Sequence, residues 1–296
     1  MEIKEVKIPV PWGHIAVKTW GNERDPIILV IHGWVDNAGS FDTLIPLLPT
    51  SYYYYCMDLP SHGRSSHLES SLFVHNSDYV LILKYVHDYL NRGKLIIMGH
   101  SLGAALATNF AQMYPECVSK LVCFDCLHYF AQSAQIVYES QKKSIDIRVR
   151  FMKKNKLEAP VYTKDEALQR MMQSRMTPLS RKAAEILAER GLEKVDDEKY
   201  RFTLAVNSRN SLFTKYTANE LADLAQSFPV TCPHLVVFST NSSYSLLGYK
   251  KLLEVYRQNK NYELHIVKGS HECHLENPED VAPIVTNFLN KQHSKL

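Results

Sequence analysis

Long apolar runs are missing from this chain. No stretch of its 296 residues approaches the eighteen or so consecutive apolar residues of a membrane-spanning helix, so no membrane span is expected. The opening residues, Met1 to Val10, are charged and lack the apolar centre of a secretory signal. Charge of one sign is scarce as well: 34 Lys and Arg against 31 Asp and Glu leave +3, too little by itself to suggest a nucleic-acid partner. Cysteines are few and scattered, at Cys56, Cys117, Cys123, Cys126, Cys232 and Cys273, without the density of a disulfide scaffold. Cys123 and Cys126 make a C-x-x-C, but no second pair at metal-binding spacing accompanies it, so it reads as chance spacing on a strand and its exit. No metal is expected. Internal repeats and low-complexity tracts are absent too. What remains is an ordinary globular composition, 45% hydrophobic and 22% charged, long enough for one α/β domain with an insertion. A soluble protein with reduced cysteines is the expectation.

Near the N-terminus, Val6, Ile8 and Val10, then Ile15 and Val17, alternate with polar neighbours around a turn at Pro11 to Gly13, the pattern of two antiparallel strands. Pro26 to Ile31 is a continuous apolar run, as in a strand buried on both faces, and it ends in His32, Gly33 and Trp34. A short helix is expected over Ser40 to Leu48, a strand over Tyr52 to Met57, and a helix over His75 to Asn91 with Val80, Leu83, Val86 and Leu90 on one face. Leu95 to Met98 then leads into Gly99-His100-Ser101-Leu102-Gly103 and an Ala-rich helical segment to Met113. Val118 to Phe124 reads as the next strand and ends at Asp125. Such alternation implies a doubly wound, mostly parallel sheet whose chemistry gathers at the carboxyl ends of its strands, where His32, Asp58, Ser101 and Asp125 all fall.

From Cys126 to about Pro229 the alternation stops. This stretch is polar and helical in period, clearest over Arg181 to Arg190 and Ala218 to Gln226, and its recurrent apolar positions suit a cap better than a linker. Gln141 to Lys182 holds twelve Lys or Arg against four Asp or Glu, either a solvated helical surface or an electrostatic guide for anionic substrates. The sheet resumes at His234 to Phe238, followed by a helix over Leu247 to Gln258, a strand over Tyr262 to Val267 and a last amphipathic helix from Val281 to Leu289.

Ser101 is the residue around which this order makes chemical sense. Gly99 and Gly103 flank it where a strand doubles back into a helix and no side chain fits. The turn lifts the hydroxyl clear of the sheet, and the helix start beneath it offers N–H groups and a positive dipole end. This is the G-x-S-x-G nucleophile elbow in its expected strand–turn–helix setting. A serine hydroxyl is a weak nucleophile and needs a neighbouring base.

Together with His32-Gly33-Trp34, the Asp58 to Ser65 loop, and the Gly269 to Pro278 stretch, the elbow resembles the α/β hydrolase superfamily over nearly the whole chain. Within it, His32 to Pro49, Met57 to His67 and Gly269 to Glu279 resemble the serine hydrolase-like, kraken-type proteins. Ser61 is a departure, standing where the superfamily usually has glycine. The resemblance implies an α/β-hydrolase fold, a mostly parallel doubly wound sheet with a helical cap: core over residues 1–125, cap over 126–230, core again over 231–296. It also implies a serine mechanism with His271 as base, His274 being the competitor, and an oxyanion hole from the N–H groups of Leu102 and Trp34. Gly33 lets the oxyanion loop approach closely, while His32 and Asp58 order the loops. No cofactor is implied. Ser101 at the elbow excludes the aspartate-nucleophile branches, the epoxide hydrolases and haloalkane dehalogenases.

Most relatives carry the acid of the triad after the strand that follows the cap, but here Phe238 to Leu247 contains no carboxylate. Asp125, at the strand end before the cap, is the expected acid; the alternatives are a helix-capping Asp125, or a dyad with Asn241 or a water holding His271. The expected activity is carboxylic-ester hydrolysis, with a peroxisomal acyl-CoA thioesterase as the alternative and a C–C bond hydrolase or non-catalytic binder behind them. The chain ends in Ser294, Lys295 and Leu296, an S-K-L address read by the peroxisomal import receptor, so peroxisomes are expected, with the cytoplasm as the alternative.

Overall fold

The computed structural model describes residues 1–68, 75–129, 131–153, 159–173, 175, 177–205, 216–242 and 246–292. Its elements in chain order are β1 (Ile3–Val10), β2 (Gly13–Trp20), β3 (Ile27–Ile31), β4 (Tyr53–Met57), α1 (Asn76–Leu90), β5 (Leu95–His100), α2 (Leu102–Met113) and β6 (Val118–Phe124). The middle of the chain adds α3 (Ala134–Met152), β7 (Val161–Tyr162), α4 (Lys164–Gln173), α5 (Arg181–Gly191), β8 (Leu192–Lys194), β9 (Tyr200–Phe202) and α6 (Ala218–Ser227). It closes with β10 (His234–Asn241), α7 (Lys250–Tyr256), β11 (Tyr262–Ser270), α8 (Cys273–Glu276) and α9 (Pro278–Asn290).

Eight strands form one sheet in the order β1-β2-β4-β3-β5-β6-β10-β11. β1, β2 and β4 pair antiparallel; every pair from β4 onward is parallel. The unbroken apolar run of β3 follows from its place in the middle. Ile27, Leu29 and Ile31 face one core, shared with α1, α2, α6 and α7, while Ile28 and Val30 face another, closed by Phe41, Leu44 and α9. A strand with a core on each side has no face left for polar residues.

Two local expectations differ from what forms. Ser40 to Leu48 is not an α-helix but two 3₁₀ turns, Ala38–Phe41 and Ile45–Leu47. Pro46 has no N–H to donate to an i−4 carbonyl, and Asn37 caps the first turn by accepting from the Gly39 N–H at 2.9 Å. The inserted stretch also contains strands that its helical period hid: β7, β9 and β8 make a small antiparallel sheet of two- and three-residue strands. Segments that short carry no readable alternation.

The insertion splits between two surfaces. α4 and α5 build a cluster of their own from Leu168, Met171, Ala184, Leu187 and Ala188, and Leu275 of α8 enters it from the core. Helix α6 instead sends Leu221 and Ala225 into the main core beside α7. Together β3, β4, β5 and β6 deliver His32, Asp58, Ser101 and Asp125 to one edge, and the loop after β11 adds His271.

Gly103 shows how tightly the elbow is seated. A Cβ there would lie 2.2 Å from the Ile31 carbonyl oxygen and 2.6 Å from that of His32. Backbone in neither strand can yield cheaply. Gly103→Ala is therefore expected to lose about 1–3 kcal/mol by overpacking, more than the helix propensity of alanine returns. A urea midpoint that stays put or rises would contradict this packing.

Candidate active site

Ser101 stands at φ 49° and ψ −114°, a backbone conformation that a residue with a Cβ adopts only under constraint. Its N–H is held by the Phe124 carbonyl at 3.0 Å. A Cβ on Gly99 would meet the Gly103 backbone at 2.5 Å, so both glycines are sterically required. Leu102 opens α2, and its N–H is among the first-turn donors with no acceptor inside the helix. Across from it runs the loop of Gly33, Trp34, Val35 and Asp36, seated so closely that a Cβ on Gly33 would lie 2.7 Å from His100 Nδ1. Ser101, Trp34 and His271 line one cavity of about 500 Å³, roofed by Tyr162, Arg170, Met171 and Phe202.

His271 Nδ1 lies 2.6 Å from Asp125 Oδ2. The carboxylate is completely buried and turns toward the end of β10, not into a helix N-terminus. Its Oδ1 accepts from the N–H and the hydroxyl of Ser239, both at 2.7 Å, and Oδ2 accepts from the Ser242 hydroxyl at 2.5 Å. Asp125 thus leaves β6 at φ 49° and crosses to the exit of the neighbouring strand. Sequence reasoning noted that this exit has no carboxylate but missed that its serines are the donors holding one. A serine-rich strand exit opposite an unpaired aspartate is the signal that would have found them.

His274 has a different setting. Its ring lies 4.7 Å from that of Phe41, 5.7 Å from Phe124 and 4.1 Å from His100. It is fully buried, and neither ring nitrogen has a partner among the described residues. Burial, with His100 beside it, drives its pKa well below the usual range, so it is a neutral packing ring. His100 holds the carbonyl oxygen of His271 at 3.0 Å through Nε2. Asn241, at the end of β10, is exposed.

The loops behind the elbow hang on Asp58. Its Oδ1 accepts from the Ala38 N–H at 2.7 Å and its Oδ2 from the Arg64 N–H at 2.9 Å, while Arg190 of α5 pairs with it at 2.7 Å. Arg190 also pairs with Glu5 of β1. His32 Nε2 accepts from the Leu59 N–H at 2.9 Å. Ser61 sits at φ 65° and Gly63 at φ 51°, which explains the superfamily preference for glycine at both places. Ser61 meets the constraint and uses its hydroxyl to accept from the Leu68 N–H at 3.0 Å.

A buried ion cluster at the cavity wall was invisible in the sequence. Arg175, from the segment between α4 and α5, pairs with Asp36 at 2.5 Å and with Glu272 at 3.6 Å. Asp36 also lies 3.6 Å from His100 Nδ1, and Glu272 accepts from the Thr177 hydroxyl at 2.7 Å. Burial alone would raise the Asp36 carboxyl, but the Arg175 guanidinium and His100 outweigh it and hold it well below the usual carboxylate range. One inserted arginine thereby ties the loop of Trp34 to the loop of His271.

Among the described residues no grouping of His, Cys, Asp or Glu could hold a metal ion, and all six cysteines are free and buried. No helix of the described residues is long and apolar enough to cross a membrane. Ser294, Lys295 and Leu296 lie outside the described residues.

A strained serine between a parallel strand and a helix, with histidine and aspartate joined at the same edge of the sheet, defines an α/β-hydrolase architecture. The chain belongs to that family: residues 26–278 match its model, described as the alpha/beta hydrolase fold. Its particular kin are the serine hydrolase-like proteins. Serine hydrolase-like protein 2 of Homo sapiens is 30% identical over 302 residues, spanning 98% of this chain and 95% of its own. Among solved structures, a hypothetical protein from Pseudomonas aeruginosa PAO1 superposes with a TM-score of 0.83 at 26% identity, covering 97% of this chain and 99% of that one. The thioesterase domain from the curacin biosynthetic pathway superposes at 0.78, with 20% identity over 96% of this chain and 99% of that one, a likeness of fold.

Replacing Arg175 by methionine would leave two buried carboxylates without their cation. Arg175→Met is expected to cost about 3–5 kcal/mol at pH 7. A carboxyl whose folded pKa is depressed contributes stability above its unfolded value, about 3.9, and loses it as pH falls toward the folded value. The gap between the parent and Arg175→Met should therefore narrow below about pH 4. Urea midpoints at the two pH values check this, and a gap that is absent or independent of pH would contradict it.

Proposed function

We propose that this chain is a serine hydrolase that cleaves a carboxylic ester through an acyl-enzyme, with Ser101 as nucleophile, His271 as base and Asp125 as acid. The observation that carries the reading is the 2.6 Å contact of His271 with a buried, three-donor Asp125, beside the cavity that Ser101 and His271 share. Asp125 accepts from Nδ1, which fixes the histidine tautomer and leaves Nε2 to take the proton of the Ser101 hydroxyl. The serine oxygen attacks the ester carbonyl carbon, and the oxygen that gains the charge is met by the N–H groups of Leu102 and Trp34. The imidazolium then returns its proton to the departing alcohol. A water, deprotonated by the same ring, releases the acid and restores Ser101. Nothing in these steps calls for a cofactor.

A second reading, acyl-CoA thioester hydrolysis in peroxisomes, is supported by the terminal Ser294, Lys295 and Leu296 and by the basic stretch from Gln141 to Lys182. In that reading the import receptor is a partner of the tail.

Ser101→Ala should stay folded, lose about 10⁴ to 10⁶ in kcat and escape labelling by a fluorophosphonate probe. His271→Ala should be as severe and His274→Ala much milder. Asp125→Asn should keep the fold and lower kcat by up to about 10⁴. Retained turnover in purified Ser101→Ala would end the serine mechanism, and a near-normal Asp125→Asn would move the acid elsewhere. For location, a fluorescent protein fused at the N-terminus should collect in peroxisomal puncta and disperse when the last three residues are removed; diffuse signal from the intact fusion argues against import.

A further inference from the structure

The basic excess between Gln141 and Lys182 distributes unevenly around the cavity. Among the described residues of that stretch, two cations line it, Arg170 and Arg175. Arg175 is spent on Asp36 and Glu272. The four oxygens of those carboxylates face Arg175, His100 and Thr177, so their charge is committed within the wall. The cap's Arg181 is likewise occupied, by Asp165 at 2.8 Å and Glu185 at 2.9 Å.

Arg170 is the exception. No carboxylate among the described residues lies within ion-pair distance of it. Glu166, one helical turn earlier, is the nearest acidic neighbour on α4, and its Oε2 is engaged by the Thr163 N–H at 2.9 Å at the start of the helix. The guanidinium is nevertheless held in place: its central carbon lies 4.4 Å from the centroid of the Tyr162 ring. Tyr162 in turn packs edge-on against Phe202 of β9, with ring centroids 5.7 Å apart. All three side chains line the cavity that Ser101 opens into. An arginine lying over an aromatic face still has N–H groups to offer, and its guanidinium fork matches a carboxylate or phosphate.

We propose that Arg170, lying over the ring of Tyr162, is a subsite for an anionic group of the substrate, a carboxylate or a phosphate carried on its acyl or its leaving part. The proposal rests on the reading of this cavity as an ester-hydrolase site and narrows its substrate class. The small β7–β9 sheet supplies the aromatic bed, and α4 supplies the cation. Hydrolysis stays with Ser101 and His271; Arg170 sets which esters are retained long enough to react.

Three probes test it: p-nitrophenyl butyrate, which is neutral, mono-p-nitrophenyl glutarate, which adds a carboxylate, and butyryl-coenzyme A, which adds phosphates. The ratio of kcat/KM for an anionic probe to that for the neutral one should fall about tenfold in Arg170→Gln, mostly through KM, and recover in part in Arg170→Lys. The same ratio in the parent should fall as salt is added. A loss confined to the glutarate ester marks the group as a carboxylate; one confined to the coenzyme A thioester marks it as a phosphate. Ratios that Arg170→Gln leaves where they were, for both anionic probes, overturn the subsite while leaving the hydrolase standing. If the parent turns over none of the three, calorimetry on Ser101→Ala with monomethyl glutarate and with butyryl-coenzyme A decides separately. Binding lost on adding Arg170→Gln supports the subsite without the hydrolase, and binding that is absent or indifferent to Arg170 overturns it.

Discussion

A carboxylate with no solvent exposure must find every one of its partners inside the protein, and at Asp125 that requirement organises three strands. β6 supplies the acid, the exit of β10 supplies three donors, and the loop after β11 supplies the imidazole. None of these contacts is local: Ser239 is 114 positions from Asp125 and His271 is 146. Both are brought near by the parallel register, in which Val237 pairs with Phe124 and Val236 with Leu264. The site is thus a by-product of sheet order, and a slip in register between β6 and β10 would carry Ser239 away from the aspartate.

At Arg175 the same accounting is done with charge. Asp36, Arg175 and Glu272 come from a loop, the insertion and the segment after β11, and none reaches bulk water freely. Their mutual contacts hold the loop of Trp34 and the loop of His271 to one piece of the insertion. Two buried networks therefore converge on the loop of His271, one acting through Asp125 and one through Arg175.

Much of this was readable in the sequence, for identifiable reasons. The elbow announces itself because sterics leave no choice at Gly99 and Gly103. The strands that become β3, β4 and β5 are visible because double burial demands near-continuous apolar runs. Asp125 and His271 could be paired on paper because the exit of β10 offers no carboxylate, which leaves few candidates. The Arg175 cluster could not, since its partners lie far apart in the chain and each, taken alone, looks like an ordinary surface charge. The short strands β7 to β9 were hidden for a different reason: two or three residues cannot express a period. The helix expected over Ser40 to Leu48 failed where Pro46 overrode an otherwise helical pattern, and Ser239 and Ser242 went unnoticed because serine in a strand exit is usually a turn residue.

The position of Asp125 just ahead of the insertion also has a consequence for assembly in time. As the chain leaves the ribosome, the elbow, the loop of Gly33 and Trp34 and the aspartate are all made before the insertion, whereas their partners on β10 and β11 come after it. Until about a hundred further residues have been synthesised, β6 has an open edge and its carboxylate has only water for company. Pairing β6 with β10 closes a loop of that length, a step with a substantial entropic cost and the slow folding that high contact order brings. A ribosome-bound or truncated chain ending within the insertion would therefore hold Ser101 and Asp125 without the serines and the histidine that surround them in the finished sheet.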